Sequence, residues 1–168
     1  MSDTPTSVHM VCSGNICRSP MAEIVLRSML ETAGIDGVRV TSSGTGGWHI
    51  GEVADPRAVA VLERHGYDGR THRASQADRQ TLADHDLILV ADSGHLRQIR
   101  ALAPSAEQRR AVRLLREFDA VAVAAGTLEL DDPWYGHTAD FERCLAEVEA
   151  ACRGLVEHLR RPGHEAKA

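Results

Sequence analysis

Residues 8–20 of this chain have the sequence VHMVCSGNICRSP. The apolar run that begins at Val8 predicts a short buried strand. Ser19 and Pro20 precede the run MAEIVL, and a proline in the first turn is typical of a helix start. The loop between strand and helix opens with Cys12 and closes with Arg18. Backbone amides that converge just before a helix bind anions, so this segment predicts an anion site.

Cys12 and Arg18 have complementary chemistry at this spacing. The loop amides and the helix end favour a thiolate at Cys12, which makes its sulfur a nucleophile. The Arg18 guanidinium is a planar set of donors that fits two phosphate oxygens. The competing, structural interpretation is a buried cysteine at a strand end and an arginine that caps a helix. The preceding strand, the glycine in the loop and the following helix favour attack on a bound phosphoryl group.

Length and composition indicate one globular domain. The chain has 168 residues, 43% of them hydrophobic and 26% charged. We predict a single domain over 1–168 with flexible tails at 1–5 and 161–168. The net charge of −5 does not favour a nucleic-acid partner, and we predict no membrane segment and no signal peptide. Four cysteines without a zinc-finger pattern suit the cytoplasm.

The rest of the chain alternates strand-like and helix-like segments. Strands are predicted from Val8, over 38–43, over 86–91 and, at a sheet edge, over 112–115. Helices are predicted over 20–33, 56–66, 94–102 and 139–160, with a short one after a capping box that begins at Ser75. The apolar residues of 118–130 show no clear helical or strand spacing, so this segment is predicted to form a loop. This alternation predicts an α/β fold whose parallel sheet is covered on both faces.

Ligands of such sheets bind outside the carboxyl ends of the strands. The Cys12 loop lies at one such end, Ser42 and Ser43 lie at a second, and Asp92 lies at a third. Three separate segments are therefore expected around one site.

Two motifs resemble those of a known family. Residues 11–20 (VCSGNICRSP) match the phosphate-loop motif of the low-molecular-weight protein tyrosine phosphatases, and residues 132–136 (DPWYG) match the family's second motif. Residues 55–58 and the segment around Asp92 also fit, in the expected order. The resemblance covers roughly residues 6–160. It implies a doubly wound, four-stranded parallel sheet with helices on both faces, and a two-step reaction without metal or other cofactor.

The resemblance also implies the role of each chemical group. Cys12 attacks phosphorus and forms a cysteinyl phosphate. Arg18 and the loop amides hold the equatorial oxygens. Asp132, rather than its neighbour Asp131, protonates the leaving phenolic oxygen and then activates water, so a bell-shaped pH profile is expected. The phosphate-binding loop residues are Ser13, Gly14, Asn15, Ile16 and Cys17. The implied partners are tyrosine-phosphorylated proteins, with inorganic phosphate as product and inhibitor.

Aromatic and supporting residues complete the predicted site. Trp48 follows a glycine-rich loop, and from its surroundings alone packing is the favoured role. The resemblance instead places it in an aromatic wall of the cleft opposite Trp134 and Tyr135, either of which could stack on the substrate ring. The predicted supports of the loop are Ser19, Ser42, Asn15, His72 and Asp92.

Several alternatives remain at this point. An arsenate reductase shares the fold but needs resolving cysteines after the third strand, and residues 75–110 contain none. A non-catalytic phosphotyrosine-binding module is disfavoured by the intact Cys12, Arg18 and Asp132. A dinucleotide site lacks its glycine motif after the first strand. Cys17 is either a redox partner of Cys12 or a small buried side chain that fills the loop.

Some positions depart from the family pattern. Ser13 stands where bulkier apolar residues are common, Ser75 where a basic residue is often found, and Trp134 where tyrosine is more frequent. These departures affect the expected substrate preference rather than the three chemical roles.

Overall fold

A central parallel sheet carries the fold. The computed structural model describes the backbone of residues 7–167 and the side chains of residues 7–160. The strands are β1 (Ser7–Cys12), β2 (Arg39–Gly44), β3 (Leu87–Val90) and β4 (Val112–Leu114). They lie in the order β2-β1-β3-β4, and all neighbouring pairs are parallel. This confirms the predicted α/β fold, while the predicted flexible tail at 1–5 lies outside the described residues.

Helices cover both faces of the sheet. They are α1 (Arg18–Thr32), α2 (Pro56–Arg64), α3 (Arg79–Asp84), α4 (Ser93–Leu102), α5 (Ala106–Arg110), α6 (Ala120–Ala125) and α7 (Thr138–Lys167). Short 3₁₀ turns occupy Leu115–Phe118 and Pro133–Tyr135. Helices α1, α2 and α7 contribute to the core on one face, and α3 and α4 contribute to the core on the other.

The strand β3 shows why its sequence is a continuous apolar run. Leu87 and Leu89 belong to the core beneath α1 and α7, whereas Ile88 and Val90 belong to the core beneath α4. Successive side chains of a strand point to opposite faces, and here both faces are covered. Burial of the whole strand therefore fixes its central place in the sheet and carries Asp92 to the sheet's carboxyl edge.

The predicted capping box at Ser75 is wrong. The helix α3 begins after Asp78, whose carboxylate accepts the amide of Thr81 at 3.1 Å. Ser75 has other partners, because its hydroxyl donates to the Ser42 carbonyl at 3.2 Å and its amide donates to Asn15 Oδ1 at 3.0 Å. Ser75 is thus tied to β2 and the Cys12 loop instead of to a helix.

The predicted loop over 118–130 is also wrong in part. It contains the helix α6, which Asp119 caps by accepting the amides of Val121 and Ala122. Only Ala122 of this helix is buried, so an apolar period could not reveal it. The helix α5, which was not predicted, buries no residue at all.

The last helix was predicted to end at 160, with a flexible tail over 161–168. The helix continues through Lys167, so its predicted end is wrong, while the flexibility of the tail stays a prediction.

A buried histidine on β1 makes the stability of the folded state depend on pH. Both ring nitrogens of His9 are hydrogen-bonded, Nδ1 to Thr41 Oγ1 at 2.7 Å and Nε2 to Ser43 Oγ at 2.6 Å. Burial, together with the charges of His85 and Arg39, lowers the pKa of His9 to about 3. The unfolded chain binds a proton here near pH 6.5, so the folded state loses stability as the pH falls below that value.

His9→Gln is expected to reduce this pH dependence. Between pH 6.5 and 4.5 the variant should lose about 2 kcal/mol less free energy of unfolding than the wild type, because its amide does not titrate. Urea unfolding at several pH values measures the difference. The matched control is His137→Gln, at an exposed position, which should follow the wild-type slope. Equal slopes in wild type and His9→Gln would contradict the prediction.

Candidate active site

The Cys12–Arg18 loop turns its carbonyls away from the cleft. The carbonyl oxygens of residues 12, 13, 15 and 16 are bonded to the surrounding scaffold at 2.7 to 3.0 Å. Their partners are the amides of Thr45, Gly46 and Asp55 and the imidazole of His72. In a trans peptide the N–H group points opposite to the carbonyl. The amides of residues 13, 14, 16 and 17 therefore face the inside of the loop, where an anion could bind them.

Asn15 holds the loop in this shape. Its backbone has φ of 58°, a left-handed conformation that asparagine tolerates better than most residues. Its fully buried side chain donates to Ser19 Oγ at 2.7 Å and to Ser42 Oγ at 3.0 Å. The predicted supports Ser19, Ser42 and His72 thus all contact either the side chain or the carbonyl of Asn15.

Gly44 allows the loop to lie close to β2. A Cβ atom at this position would be 2.5 Å from the Ser13 carbonyl oxygen and 3.0 Å from the Asn15 amide nitrogen. Both atoms belong to the backbone and cannot move aside without changing the loop. Glycine is therefore required at the end of β2.

Cys12 is at the end of a hydrogen-bond chain. Its sulfur is 2.9 Å from Ser19 Oγ, and Ser19 in turn accepts from Asn15. The chain continues through Ser42, whose hydroxyl donates to Glu23 at 2.5 Å. A thiolate has no proton to give, so with Cys12 ionised Ser19 donates to the sulfur. Glu23 was not predicted from the sequence, because one carboxylate on an amphipathic helix resembles any solvated residue.

Arg18 is buried, and its guanidinium is hydrogen-bonded to three groups. Its Nη1 donates to Asp92 Oδ2 at 3.0 Å and to the Leu130 carbonyl at 2.8 Å, and its Nη2 donates to Ser13 Oγ at 3.4 Å. Burial alone would lower the pKa of Arg18, but the charges of Cys12, Asp132 and Asp92 outweigh it and raise that pKa. The guanidinium is therefore a fixed positive charge beside the loop.

Asp132 comes to the same place from the far end of the chain. Its Oδ2 is 3.6 Å from Arg18 Nη2, and its Oδ1 accepts the amide of Trp134 at 3.1 Å. The latter bond caps the 3₁₀ turn at 133–135 and fixes the carboxylate at the rim. An open cleft of about 310 Å³ lies between the two segments. It is lined by Cys12, Ser13, Gly14, Ile16, Cys17, Arg18, Trp48, His49, Asp132, Trp134 and Tyr135.

Comparison with known proteins places the chain in a family. The family profile described as "Low molecular weight phosphotyrosine protein phosphatase" matches residues 7–165. The chain belongs to this family. A low molecular weight protein-tyrosine-phosphatase of Streptomyces coelicolor is 51% identical over 154 residues, which cover 91% of this chain and 93% of that protein.

Two further relatives agree. The low molecular weight protein-tyrosine phosphatase A of Mycobacterium tuberculosis is 48% identical over 158 residues, which cover 92% of this chain and 91% of that protein. The solved structure of the tyrosine phosphatase Wzb from Escherichia coli K30, in complex with sulphate, has a TM-score of 0.78 and 30% identity, and covers 95% of this chain and 99% of that one. This phosphatase is thus a hydrolase that acts on phosphotyrosine in proteins.

The aromatic residues of the phosphatase stand at the mouth of the cleft. Trp48 is 72% exposed, so the packing role favoured by its sequence surroundings is wrong. Trp134 and Tyr135 lie edge to face, with ring centroids 4.8 Å apart. Large exposed rings beside a cleft leave apolar surface for a ligand ring.

Asp92 connects Arg18 to a residue that the sequence analysis missed. Its Oδ1 accepts the amide of His95 at 3.0 Å and so caps α4, while its Oδ2 accepts from Arg18. His95 is buried, and its Nε2 is 2.8 Å from Ser13 Oγ. The signal was present in the sequence, because a histidine three residues after an N-cap lies on the same first turn.

The other thiols differ from Cys12 in their surroundings. Cys17 is 4% exposed, and burial, followed by the negative charge of Asp55, raises the pKa of its thiol. Cys144 and Cys152 are buried on α7, and burial raises the pKa of both thiols. These three sulfurs therefore keep their protons near neutral pH. A redox role for Cys17 stays a prediction.

The described residues include neither a candidate membrane span nor a candidate metal site. Among them, no helix is both long and apolar enough to cross a membrane. The same part of the chain holds no group of three or more histidine, cysteine, aspartate or glutamate side chains arranged to bind a metal ion.

Proposed function

We propose that this phosphatase hydrolyses phosphotyrosine through a cysteinyl-phosphate intermediate, with Cys12 as nucleophile, Arg18 as phosphate ligand and Asp132 as general acid and base. The single observation that carries the proposal is the shared cleft. Residues 120 positions apart in the sequence, Cys12 and Asp132, line it from opposite ends of the chain, with Arg18 between them.

The first step transfers the phosphoryl group to sulfur. The phosphate sits in the loop, with its equatorial oxygens on the amides of residues 13, 14, 16 and 17 and on Arg18. The Cys12 thiolate attacks phosphorus in line as the bond from phosphorus to the phenolic oxygen breaks. Protonated Asp132 gives its proton to that oxygen, so tyrosine leaves as a neutral phenol.

The second step returns the enzyme to its starting state. The Asp132 carboxylate takes a proton from a water molecule while the water oxygen attacks phosphorus. The bond from phosphorus to sulfur breaks, the thiolate of Cys12 is regenerated, and inorganic phosphate leaves. Ser19 supports both the attacking and the departing thiolate through its hydrogen bond to the sulfur.

The substrate is proposed from the shape and lining of the cleft. Trp48, Trp134 and Tyr135 offer apolar faces to a phenyl ring, while the loop at the bottom accepts a dianion. Phosphotyrosine reaches this depth, and phosphoserine is too short. Inorganic phosphate is then both the product and an inhibitor. The four cysteines are free thiols, which suits a reducing compartment, and we propose the cytoplasm.

Asp132→Asn is expected to separate departure of the leaving group from binding. With phenyl phosphate, kcat/KM should fall by roughly 10²- to 10⁴-fold, because the amide cannot donate an acidic proton. The loss of kcat/KM should be much smaller with 4-nitrophenyl phosphate, whose leaving group needs little protonation, since kcat/KM does not include the second step. Asp131→Asn is the matched control, since Asp131 is an exposed neighbour that does not line the cleft. An equal loss in both variants would contradict the assignment.

One experiment distinguishes this function from its alternatives. Purified protein is incubated with a phosphotyrosine peptide, and phosphate release is followed over many turnovers. Arsenate reduction is assayed in parallel with thioredoxin or glutathione as the reductant. Multiple turnovers on the peptide without arsenate reduction support the phosphatase. Saturable peptide binding without phosphate release would instead indicate a binding module.

A further inference from the structure

The Ser13 hydroxyl joins His95 to the anion site. Ser13 Oγ lies 2.8 Å from His95 Nε2 and 3.4 Å from Arg18 Nη2, and the residue lines the cleft. Arginine can only donate, so one lone pair of the hydroxyl is already used. The single proton of Ser13 is then available for His95 or for an anion in the loop, but not for both.

His95 can exist in two protonation states, and the direction of its hydrogen bond with the Ser13 hydroxyl differs between them. Its Nδ1 is buried, lacks a well-aligned hydrogen bond, and faces Asp92 Oδ1 at 3.2 Å. A carboxylate at this position favours a proton on Nδ1, which leaves Nε2 of the neutral ring as an acceptor for the Ser13 proton. A second proton on Nε2 reverses that bond and makes His95 the donor.

We propose that His95 is a positioning residue that sets the direction of the Ser13 hydroxyl. With neutral imidazole, Ser13 donates to His95. With imidazolium, Ser13 accepts from both His95 and Arg18, and its own proton turns to an oxygen of the bound anion. This proposal rests on the proposed phosphate site, and it makes Ser13 an added, proton-dependent ligand of the phosphoryl group.

The charges around His95 couple this change to binding. Burial lowers the pKa of His95, and the positive charge of Arg18 acts in the same direction, whereas Asp92, Asp132 and Glu129 act against it. The free protein therefore keeps the ring neutral near pH 7. A dianion in the loop adds negative charge beside Arg18 and favours the imidazolium. Binding should then take up a proton.

Sulfate binding to the double variant Cys12→Ser, Asp132→Asn tests the proposal. Sulfate remains a dianion between pH 5 and 8, and the two substitutions remove the thiol and the carboxylate that lies 3.6 Å from Arg18. Calorimetry should show binding that tightens about tenfold from pH 8 to pH 5, the gain expected from one hydrogen bond to a charged group. Adding His95→Asn or Ser13→Ala to this background should remove the tightening.

A second histidine provides the matched control. His49 lines the same cleft but pairs with Glu52 rather than with Ser13. Adding His49→Asn to the same background should leave the tightening in place. If His49→Asn abolishes the gain in sulfate affinity at low pH while Ser13→Ala retains it, the proposal is wrong and His49 is the responsible group.

The imidazole signals of His95 give an independent readout. In ¹⁵N spectra recorded between pH 5 and 8, the protonation of Nε2 should move to a pH about one unit higher at saturating sulfate than in the sulfate-free double variant, the shift that corresponds to a tenfold gain in affinity. An unchanged Nε2 would overturn the proposal even if the affinities varied with pH. Should His95→Asn fail to fold, Ser13→Ala and these spectra decide the question. A wild-type protein that binds no sulfate at any pH would instead refute the phosphate site itself, and with it the proposed function.

Discussion

Cys12→Ser is expected to lower the turnover of 4-nitrophenyl phosphate by roughly 10⁴- to 10⁶-fold. Serine is close to cysteine in size, so the loop and the contact with Ser19 at 2.9 Å can persist. A hydroxyl, however, is not ionised near neutral pH and is a far weaker nucleophile than a thiolate. The measurement is kcat/KM, together with calorimetric binding of sulfate, which the variant should retain because Arg18 and the loop amides are unchanged.

The control for this variant is another buried thiol. Cys152 lies on α7 and does not line the cleft, so Cys152→Ser should retain turnover within a few-fold of the wild type. If Cys12→Ser kept more than a hundredth of the wild-type rate, the covalent step would have to be assigned elsewhere. Loss of sulfate binding together with turnover would show that the serine had damaged the loop.

Arg18→Lys should cost about 10³-fold in kcat/KM. Lysine keeps the charge but has no planar fork, so it cannot bond Asp92, the Leu130 carbonyl and a phosphate at the same time. The loss should fall mainly on kcat, because the guanidinium binds the transition state more strongly than the ground state. Steady-state kinetics with an aryl phosphate measures the change.

Arg116→Lys separates this chemical loss from a loss of stability. Arg116 is also a buried arginine, with Nη1 bonded to the Glu129 carbonyl at 2.9 Å and 3.6 Å from a Glu147 carboxylate oxygen, but it does not line the cleft. Both variants leave buried partners unsatisfied and should lose about 1 to 3 kcal/mol of free energy of unfolding. Only Arg18→Lys should lose turnover. A similar kinetic loss in Arg116→Lys would mean that Arg18 acts through stability alone.

The signals that predict the centre of the candidate site are local in the sequence. A strand, a loop with Cys12 and Arg18, and a helix start lie within 13 residues, and the position of the anion site follows from backbone geometry alone. Asp55, followed by Pro56, was predicted as the cap of a helix, and it caps α2 by accepting the amide of Arg57 at 2.8 Å. Such signals concern neighbours in the chain, so they do not depend on the rest of the fold.

Weak or shared signals account for the wrong predictions. Ser75 resembled an N-cap, but its hydroxyl and amide bind β2 and Asn15, which are distant in the sequence. Helix α6 buries only Ala122, so its amphipathic period was too faint to detect. Trp48 was favoured as a packing residue, because a tryptophan in a loop is commonly buried, and only the fold shows it at the rim.

The sequence by itself determined the sheet, its helices and the loop that offers amides to an anion, since these follow from apolar periods, caps and the covalent order of residues 8–20. The tertiary structure alone decided which groups surround that loop. Crossover connections bring Asp132 to 3.6 Å from Arg18 and place His95 at 2.8 Å from Ser13, and no local pattern encodes either distance. Hydrogen-bond direction and charge act over a few ångströms in space, so the proton-dependent contact of Ser13 emerges only once the chain is folded.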